Sequence, residues 1–178
     1  SAEGSFVPSS RFLERRLVEI GRIAHRRMVV ELGPGTGGTT LALLNALPRS
    51  SRLLAVEVNP KFFARLQTLA DPRPDAVVSG IPFSNMPAEC GRRILRTIWA
   101  CLAPGGCFVA YQFLKRVAQL DQETLGPPAV TLEFLNVPPV RVYCWQKPDA
   151  AAGGAADYRP ADGTPCAQAV FAAEPPPG

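Results

Sequence analysis

A glycine-rich turn directly after an apolar strand is the feature that most constrains the fold of this chain. The segment MVVEL at 28–32 is expected to be a buried strand, and GPGTGG follows it. A helix is expected over 39–47 and a second strand, LLAVEV, over 53–58. Strand-like and helix-like segments continue to alternate as far as Lys147. This alternation predicts an α/β fold with a doubly wound, mainly parallel sheet and an antiparallel C-terminal strand.

The remaining elements are predicted from apolar spacing and turn residues. Further helices are expected at 9–27, 59–69 and 88–102. Further strands are expected at 75–80 (DAVVSG), 107–113 (CFVAYQF), 131–137 (TLEFLNV) and 141–147 (RVYCWQK). With 178 residues the chain can form one domain with a core, predicted over 1–147. Residues 148–178, rich in alanine, glycine and proline, are predicted to be a disordered tail.

The predicted domain is basic. The whole chain carries a net charge of +4, and the predicted tail has one arginine against four acidic residues, so residues 1–147 carry +7. A basic surface attracts anionic lipid or nucleic acid without choosing between them. Since His25 is the only histidine and the five cysteines include no CxxC pair, no metal site is expected and buried thiols are favoured over a disulfide framework.

The glycine turn is the predicted binding site, because ligands of parallel sheets lie beyond the carboxyl ends of the strands. Gly33, Gly35 and Gly38 also fit the GxGxxG spacing, so glycine spacing alone leaves a dinucleotide site open. The carboxylate of Glu31 would repel a pyrophosphate, and it favours a positively charged ligand that bears an amino group. At the end of the second predicted strand, Glu57 can accept hydrogen bonds from both hydroxyls of a ribose.

Several segments resemble class I S-adenosylmethionine-dependent methyltransferases. ELGPGTGG is similar to the family's cofactor loop, AVEVNP to its ribose-binding strand end and VVSGIPFSNMP to its substrate-side strand end. More narrowly, PSSRFLERRL, SGIPFSNMP, YQF and NVPPVRVYCWQK resemble bacterial phospholipid N-methyltransferases, which methylate phosphatidylethanolamine. The likeness runs from Phe6 to Lys147. It implies a Rossmann-like fold, S-adenosylmethionine as the cofactor and a phospholipid substrate.

The resemblance also implies the residues of the site. Cofactor-binding residues are expected in the glycine loop, at two strand ends and at the start of the first helix: Ser10, Glu31, Leu32, Gly33, Pro34, Gly35, Thr36, Gly37, Glu57, Val58 and Ser79. The catalytic residues are expected to form a partly apolar site for a lipid amine, with a backbone carbonyl of the proline turn as the acceptor: Gly80, Ile81, Pro82, Phe83 and Tyr111. Core packing explains Tyr111 equally well, and helix capping explains Ser10 equally well.

Two other functions stay open. The related ribosomal RNA adenine dimethyltransferases carry an Asn-Leu-Pro-Tyr type motif, in which the asparagine holds the adenine amino group and the tyrosine stacks on the base. Ser79 and Gly80 cannot reproduce that grip, although Phe83 could still stack on a base. The second alternative is a non-catalytic binding module with the methyltransferase fold.

One unit of the family's fold has no counterpart in this sequence. The family has an edge strand after the second helix, with an acid for the adenine amino group at its end, and then a further helix, about 30 residues in all. Here LADPRP leads directly into DAVVSG. A direct link would form a left-handed crossover, which parallel sheets almost never adopt. The hypothesis is therefore that residues between Arg73 and Pro74 are missing, and the adenine-binding acid has no candidate.

The expected partners are a phospholipid substrate and an anionic membrane surface, with nucleic acid disfavoured and the protein a monomer. Since neither a signal peptide nor a membrane-spanning segment is recognisable, we expect a cytoplasmic protein that is peripheral on the inner membrane face. Membrane contact is expected through arginines: Arg11, Arg15, Arg16, Arg92, Arg93 and Arg96.

Overall fold

The computed structural model describes residues 10–57 and 73–149, which form a six-stranded sheet. The strand order is β2-β1-β3-β4-β6-β5. Strands β1 to β4 are parallel, and β6 runs antiparallel to both β4 and β5. The strands are β1 (Met28–Leu32), β2 (Arg52–Val56), β3 (Ala76–Ser79), β4 (Cys107–Gln112), β5 (Ala129–Glu133) and β6 (Val140–Gln146). The predicted fold, mainly parallel with an antiparallel C-terminal strand, is confirmed.

The described helices connect these strands. They are α1 (Arg11–Ile20), α2 (Gly38–Ala46), α3 (Ala88–Cys101), α4 (Arg116–Gln119) and α5 (Gln122–Leu125), with 3-10 turns at Ile23–His25 and Phe83–Asn85. The first predicted helix is shorter than expected, because Arg22 adopts a left-handed backbone conformation (φ 51°) that ends α1. The helix predicted over 59–69 lies outside the described residues. No helix among 10–57 and 73–149 is long and apolar enough to cross a membrane.

Two apolar layers lie on opposite faces of the sheet, because side chains alternate along each strand. On one face, Val30 and Val77 pack with α3. On the other face, Val29 and Val78 pack with α1 and α2. Strands β1, β3 and β4 are buried along their whole length, as expected for parallel strands covered on both sides. This arrangement leaves the two ends of the sheet as the places where a ligand can reach the strands.

In the described part of the chain, β2 is an edge strand that pairs with β1 alone. The family's additional edge strand is therefore absent from the described sheet. Residues 58–72 of the link between β2 and β3 lie outside the described residues, whereas Arg73 and Pro74 are described. The hypothesis of missing residues between Arg73 and Pro74 stays a prediction. Pro74 itself is fixed at the start of β3, where its carbonyl oxygen accepts a hydrogen bond from the backbone N–H of Ala103 at 2.8 Å.

Asp75 joins the starts of the two central strands. Its carboxylate accepts hydrogen bonds from the backbone N–H groups of Arg27 at 2.9 Å and Met28 at 3.0 Å, and its own N–H donates to the Met28 carbonyl at 2.9 Å. These bonds fix the register in which β1 and β3 enter the sheet, and hence the height at which the two strands end on the site side.

Replacing Asp75 with alanine is expected to lower the free energy of unfolding by about 1–3 kcal/mol, because two backbone donors lose their acceptor. Chemical denaturation monitored by circular dichroism measures the change. Glu89→Ala is the control, since Glu89 makes an exposed ion pair with Arg92 on α3, a class of contact that contributes at most about 1 kcal/mol. Equal effects of the two substitutions would contradict this role of Asp75.

Candidate active site

The predicted binding loop lies between the ends of β1 and β3. The backbone N–H of Gly33 donates to the Val56 carbonyl at 2.9 Å, and that of Gly80 donates to the Leu32 carbonyl at 2.9 Å, so the strand ends are tied together. Gly33, Gly35 and Gly37 have positive φ values of 71°, 53° and 87°. Side chains disfavour this conformation, and the loop therefore presents bare backbone at the sheet edge.

Glu31 is a buried carboxylate directly before this loop, with only 1% of its surface exposed. Its Oε2 atom accepts a hydrogen bond from the Thr40 hydroxyl at 2.6 Å. Its Oε1 atom is buried without a hydrogen-bond donor in the described part of the chain. Burial raises the pKa of Glu31, although the Thr40 hydroxyl opposes the shift. A buried acceptor without a donor carries a large desolvation cost, which a ligand with an N–H group would remove.

Glu57 provides a second carboxylate in the same region. It is half-buried, and the backbone N–H of Gly35 donates to it. Burial raises the pKa of Glu57 as well, and the negative charge of Glu57 contributes to the raised pKa of Glu31. The two carboxylates are thus close enough to interact, and their combined field favours a cation. This agrees with the prediction that the loop binds a positively charged ligand rather than a pyrophosphate.

Tyr111 and Gly80 fit against one another at the end of β3. The Tyr111 hydroxyl lies 3.4 Å from the Thr39 hydroxyl, and a Cβ atom added to Gly80 would overlap the Tyr111 hydroxyl and lie 2.8 Å from Cζ. Burial raises the pKa of Tyr111, and the Glu31 charge adds to the increase, so the phenol stays neutral at physiological pH. The phenol therefore occupies the space that a side chain at position 80 would need.

The proline turn after β3 is less open than expected. Ile81 and Phe83 are both buried, and Phe83 packs with α3 in the core. The Ile81 carbonyl accepts hydrogen bonds from Phe83 N–H at 3.0 Å and from the Gln112 side chain, and the Pro82 carbonyl accepts from Asn85 N–H at 3.0 Å. The carbonyls of Ile81 and Pro82 thus already accept hydrogen bonds within the fold, and the expected acceptor role of this turn stays a prediction. The burial of Phe83 favours a packing role over base stacking.

Other predicted residues support the site through local bonds. The Ser79 hydroxyl accepts a hydrogen bond from Ile81 N–H at 3.2 Å, and the Pro34 carbonyl accepts one from Gly37 N–H at 2.9 Å. Leu32 is fully buried, so its side chain belongs to the core. Thr36 is exposed in the loop, and Val58 lies outside the described residues.

Ser10 caps α1. Its hydroxyl accepts a hydrogen bond from Leu13 N–H at 3.2 Å, and its own N–H donates to the Asn136 side chain at 3.1 Å. These contacts account for Ser10 by helix capping, so a cofactor-binding role stays a prediction. The partners that the sequence analysis missed are Thr39, Thr40 and Gln112. The YQF segment pointed to Gln112, whereas no sequence signal links Thr40 to Glu31 nine residues earlier.

No family model matches the chain, but it is similar to several known proteins. An ornithine lipid N-methyltransferase of Singulisphaera acidiphila is 29% identical over 175 residues, which cover 80% of this chain and 88% of the relative. A ribosomal RNA small subunit methyltransferase A of Rhodococcus opacus is 44% identical over 62 residues, 34% of this chain and 20% of the relative. An O-methyltransferase of Streptomyces achromogenes, solved in complex with SAM (S-adenosylmethionine), superposes with a TM-score of 0.60 at 14% identity, covering 81% of this chain and 82% of that one.

The chain has the class I S-adenosylmethionine-dependent methyltransferase fold. This confirms the fold that the resemblance of ELGPGTGG, AVEVNP and VVSGIPFSNMP implied. The alignment with the lipid methyltransferase is 175 positions long, which is longer than the 80% of this chain that it covers. About 30 residues of that relative therefore have no counterpart in this chain, and one strand-helix unit has this size. This agrees with the absence of the additional edge strand from the described sheet.

The burial of Glu31 makes the stability of the fold depend on pH. Because its folded pKa is raised, ionised Glu31 destabilises the folded state relative to the unfolded one, and this effect grows as the pH rises from about 4.5. Glu31→Gln is therefore expected to raise the melting temperature of the ligand-free protein, more at pH 7 than at pH 4.5. Scanning calorimetry at both values tests this. A lower melting temperature at pH 7 would contradict the assignment.

Gly80→Ala is expected to lower the free energy of unfolding by about 1–3 kcal/mol, because its Cβ would overlap Tyr111. Tyr111→Phe in the same background should recover part of the loss, since it removes the oxygen atom that the new Cβ meets. Denaturation of the two single variants and the double variant measures the coupling. Additive effects would show that the two side chains do not compete for this space.

Proposed function

We propose that the protein is an S-adenosylmethionine-dependent N-methyltransferase that acts on the amine headgroup of phosphatidylethanolamine and its methylated intermediates. The observation that carries the cofactor part is the buried Oε1 atom of Glu31, which lacks a donor within the described residues. An ammonium group placed against it would supply the missing hydrogen bond and neutralise the charge. A dinucleotide phosphate at this position would instead meet two carboxylates.

The residues present fit S-adenosylmethionine. The positive-φ glycines leave room for the methionine part of the cofactor beside Glu31. Glu57, which accepts a hydrogen bond from Gly35 N–H, can accept hydrogen bonds from the ribose hydroxyls. When bound, the cofactor supplies a methyl group that its sulfonium already activates. The protein then has to position a neutral amine and exclude water, and strong acid-base groups are unnecessary.

The end of β3 is the proposed place for the amine. Gly80 lies between Gly33 of the loop and the Tyr111 phenol, so an amine held at this strand end lies next to both the glycine loop and the phenol. Since the carbonyls of Ile81 and Pro82 already accept hydrogen bonds, we assign to the Gly80 carbonyl the role of accepting a hydrogen bond from the neutral amine, whose extra proton leaves to water. The apolar surroundings disfavour the ammonium form, and the neutral Tyr111 hydroxyl offers a dipole without a competing charge.

A lipid substrate is supported by the ornithine lipid N-methyltransferase, because that match extends over most of both chains. Ornithine lipid and phosphatidylethanolamine both present a primary amine at a membrane surface. The segments SGIPF, YQF and NVPP, which resemble phospholipid N-methyltransferases, favour phosphatidylethanolamine. The proposal accordingly puts the protein at the inner membrane face as a peripheral monomer.

Ribosomal RNA adenine is the second candidate, and the short match to the Rhodococcus opacus enzyme favours it. When the Asn-Leu-Pro-Tyr type motif is aligned with this chain on Pro82, the asparagine of the motif falls on Gly80. Tyr111 fills the space that the asparagine side chain would need, and the Ser79 hydroxyl bonds to its own turn. Both observations favour the lipid amine over the adenine.

Isothermal titration with S-adenosylmethionine tests the cofactor site. We expect the wild-type protein to bind and Glu31→Gln to lose about tenfold to a hundredfold in affinity, because a charge-assisted hydrogen bond is lost. Wild-type affinity should also fall as the pH is lowered toward 4.5, since protonated Glu31 no longer attracts an ammonium. Glu89→Ala, on the opposite face of the sheet, is the matched acidic control. Absence of binding by the wild-type protein would favour a non-catalytic module.

Transfer of a radiolabelled methyl group distinguishes the substrates. The test compares vesicles containing phosphatidylethanolamine, vesicles containing ornithine lipid and unmodified ribosomal RNA. Methylation of phosphatidylethanolamine, with a rate that rises with pH as the amine loses its proton, is the expected result. Label in ornithine lipid alone would change the substrate, and label in the RNA alone would overturn the lipid proposal.

A further inference from the structure

The turn between β5 and β6 exposes apolar side chains and buries polar ones, the reverse of the usual arrangement. Phe134, Leu135 and Val137 are 68%, 61% and 91% exposed, whereas Glu133 and Asn136 beside them are buried. A soluble turn normally exposes its polar residues and buries its apolar ones. Three exposed apolar side chains of this size within four residues therefore indicate a contact surface.

The turn is held firmly in this orientation. Glu133 accepts hydrogen bonds from Leu135 N–H at 3.0 Å and from the Arg16 guanidinium at 3.2 Å. Asn136 accepts one from Ser10 N–H at 3.1 Å and donates one to the Pro138 carbonyl at 2.9 Å. The buried polar residues thus fasten the turn to α1. The apolar side chains point outward because the polar residues occupy the inward positions.

The turn lies at the same edge of the sheet as the candidate active site. Since β5 pairs antiparallel with β6, and β6 antiparallel with β4, β5 ends at the edge where β4 ends. Two more exposed apolar residues belong to this edge: Phe12 in the first turn of α1 and Leu114 just after β4. We call these five residues the apolar rim: Phe12, Leu114, Phe134, Leu135 and Val137.

Exposed basic residues are neighbours in sequence of two members of the apolar rim. Arg11 precedes Phe12, and Lys115 and Arg116 follow Leu114. The six arginines expected to contact a membrane, in contrast, do not form one surface, because α1 and α3 lie on opposite faces of the sheet. Four of them also make ion pairs within the described residues: Arg15, Arg16, Arg92 and Arg96.

We propose that the apolar rim is the membrane-docking surface of this protein, and that it enters the interfacial region of a bilayer containing anionic phospholipid. Apolar side chains bury themselves at the acyl boundary, while Arg11, Lys115 and Arg116 meet the anionic headgroups. Docking in this orientation turns the carboxyl ends of β1, β3 and β4 toward the membrane. The inference rests on the proposed function, because it brings a headgroup amine to Gly80 while its acyl chains stay in the bilayer.

Vesicle flotation tests the docking surface directly. The variant combines Phe134→Ser, Leu135→Ser and Val137→Ser, and it leaves Glu133 and Asn136 in place to hold the turn. We expect its partition onto vesicles of phosphatidylcholine with phosphatidylglycerol to fall about tenfold or more. The matched control, Leu44→Ser with Val130→Ser, removes similarly exposed apolar residues on α2 and at the start of β5 and should bind like the wild type.

A charge variant separates the two contributions. Lys115→Ala with Arg116→Ala should weaken binding to the anionic vesicles, with a smaller loss at high salt, and leave the weaker binding to pure phosphatidylcholine unchanged. Wild-type binding that the triple serine variant leaves intact would overturn the proposal. So would absence of wild-type binding, or a dimer in sedimentation velocity that the triple variant dissociates, because a second copy would then cover the rim.

Separate measurements keep this test independent of the proposed function. Thermal unfolding and titration with S-adenosylmethionine should match the wild type in the triple serine variant. Methylation of a short-chain phosphatidylethanolamine below its micellar concentration should also be retained, whereas methylation in vesicles falls. If no protein methylates either lipid, the proposed substrate is wrong, and flotation still decides whether the rim docks. Loss of activity on the monomeric lipid by the triple variant would contradict a docking role.

Discussion

The central strand β1 determines both the stability of the sheet and the chemistry at its edge. It pairs with β2 on one side and β3 on the other and is buried along its whole length. Such a strand is expected to be apolar throughout, yet it contains Glu31. The carboxylate keeps one hydrogen bond, to Thr40, and leaves one oxygen atom without a donor in the described residues. The fold thus retains a destabilising charge at the place where parallel sheets bind their ligands.

Much of the fold is predictable from the sequence because its elements have strong local signals. The bounds of β1 are as predicted, since MVVEL is bounded by an arginine pair and a glycine turn. The short helices α4 and α5 were not predicted, because four residues are too few to show a helical period. The sequence predicts a first helix that is longer than α1, because the left-handed backbone conformation of Arg22 has no signature in the sequence.

The candidate site is predictable in its acids and glycines but not in its partners. Glu31 and Glu57 follow from their positions at strand ends, which a sequence shows directly. The Thr40 contact with Glu31 and the Gln112 contact with Ile81 join residues from different elements, so only the packed structure reveals them. Phe83 was expected in the site as an aromatic residue next to the proline, yet it lies in the core because the turn folds back toward α3.

The close fit of Tyr111 against Gly80 has a consequence for which pairs of residues these two positions can hold. A phenol in this position and an asparagine at position 80 exclude one another sterically, because both would occupy the same volume. A chain cannot move between the two arrangements by single changes without passing through a clash or a void. The order of changes that avoids a clash shortens the aromatic residue first and enlarges the glycine afterwards, and the intermediate variant then has an unfilled hollow beside the glycine loop.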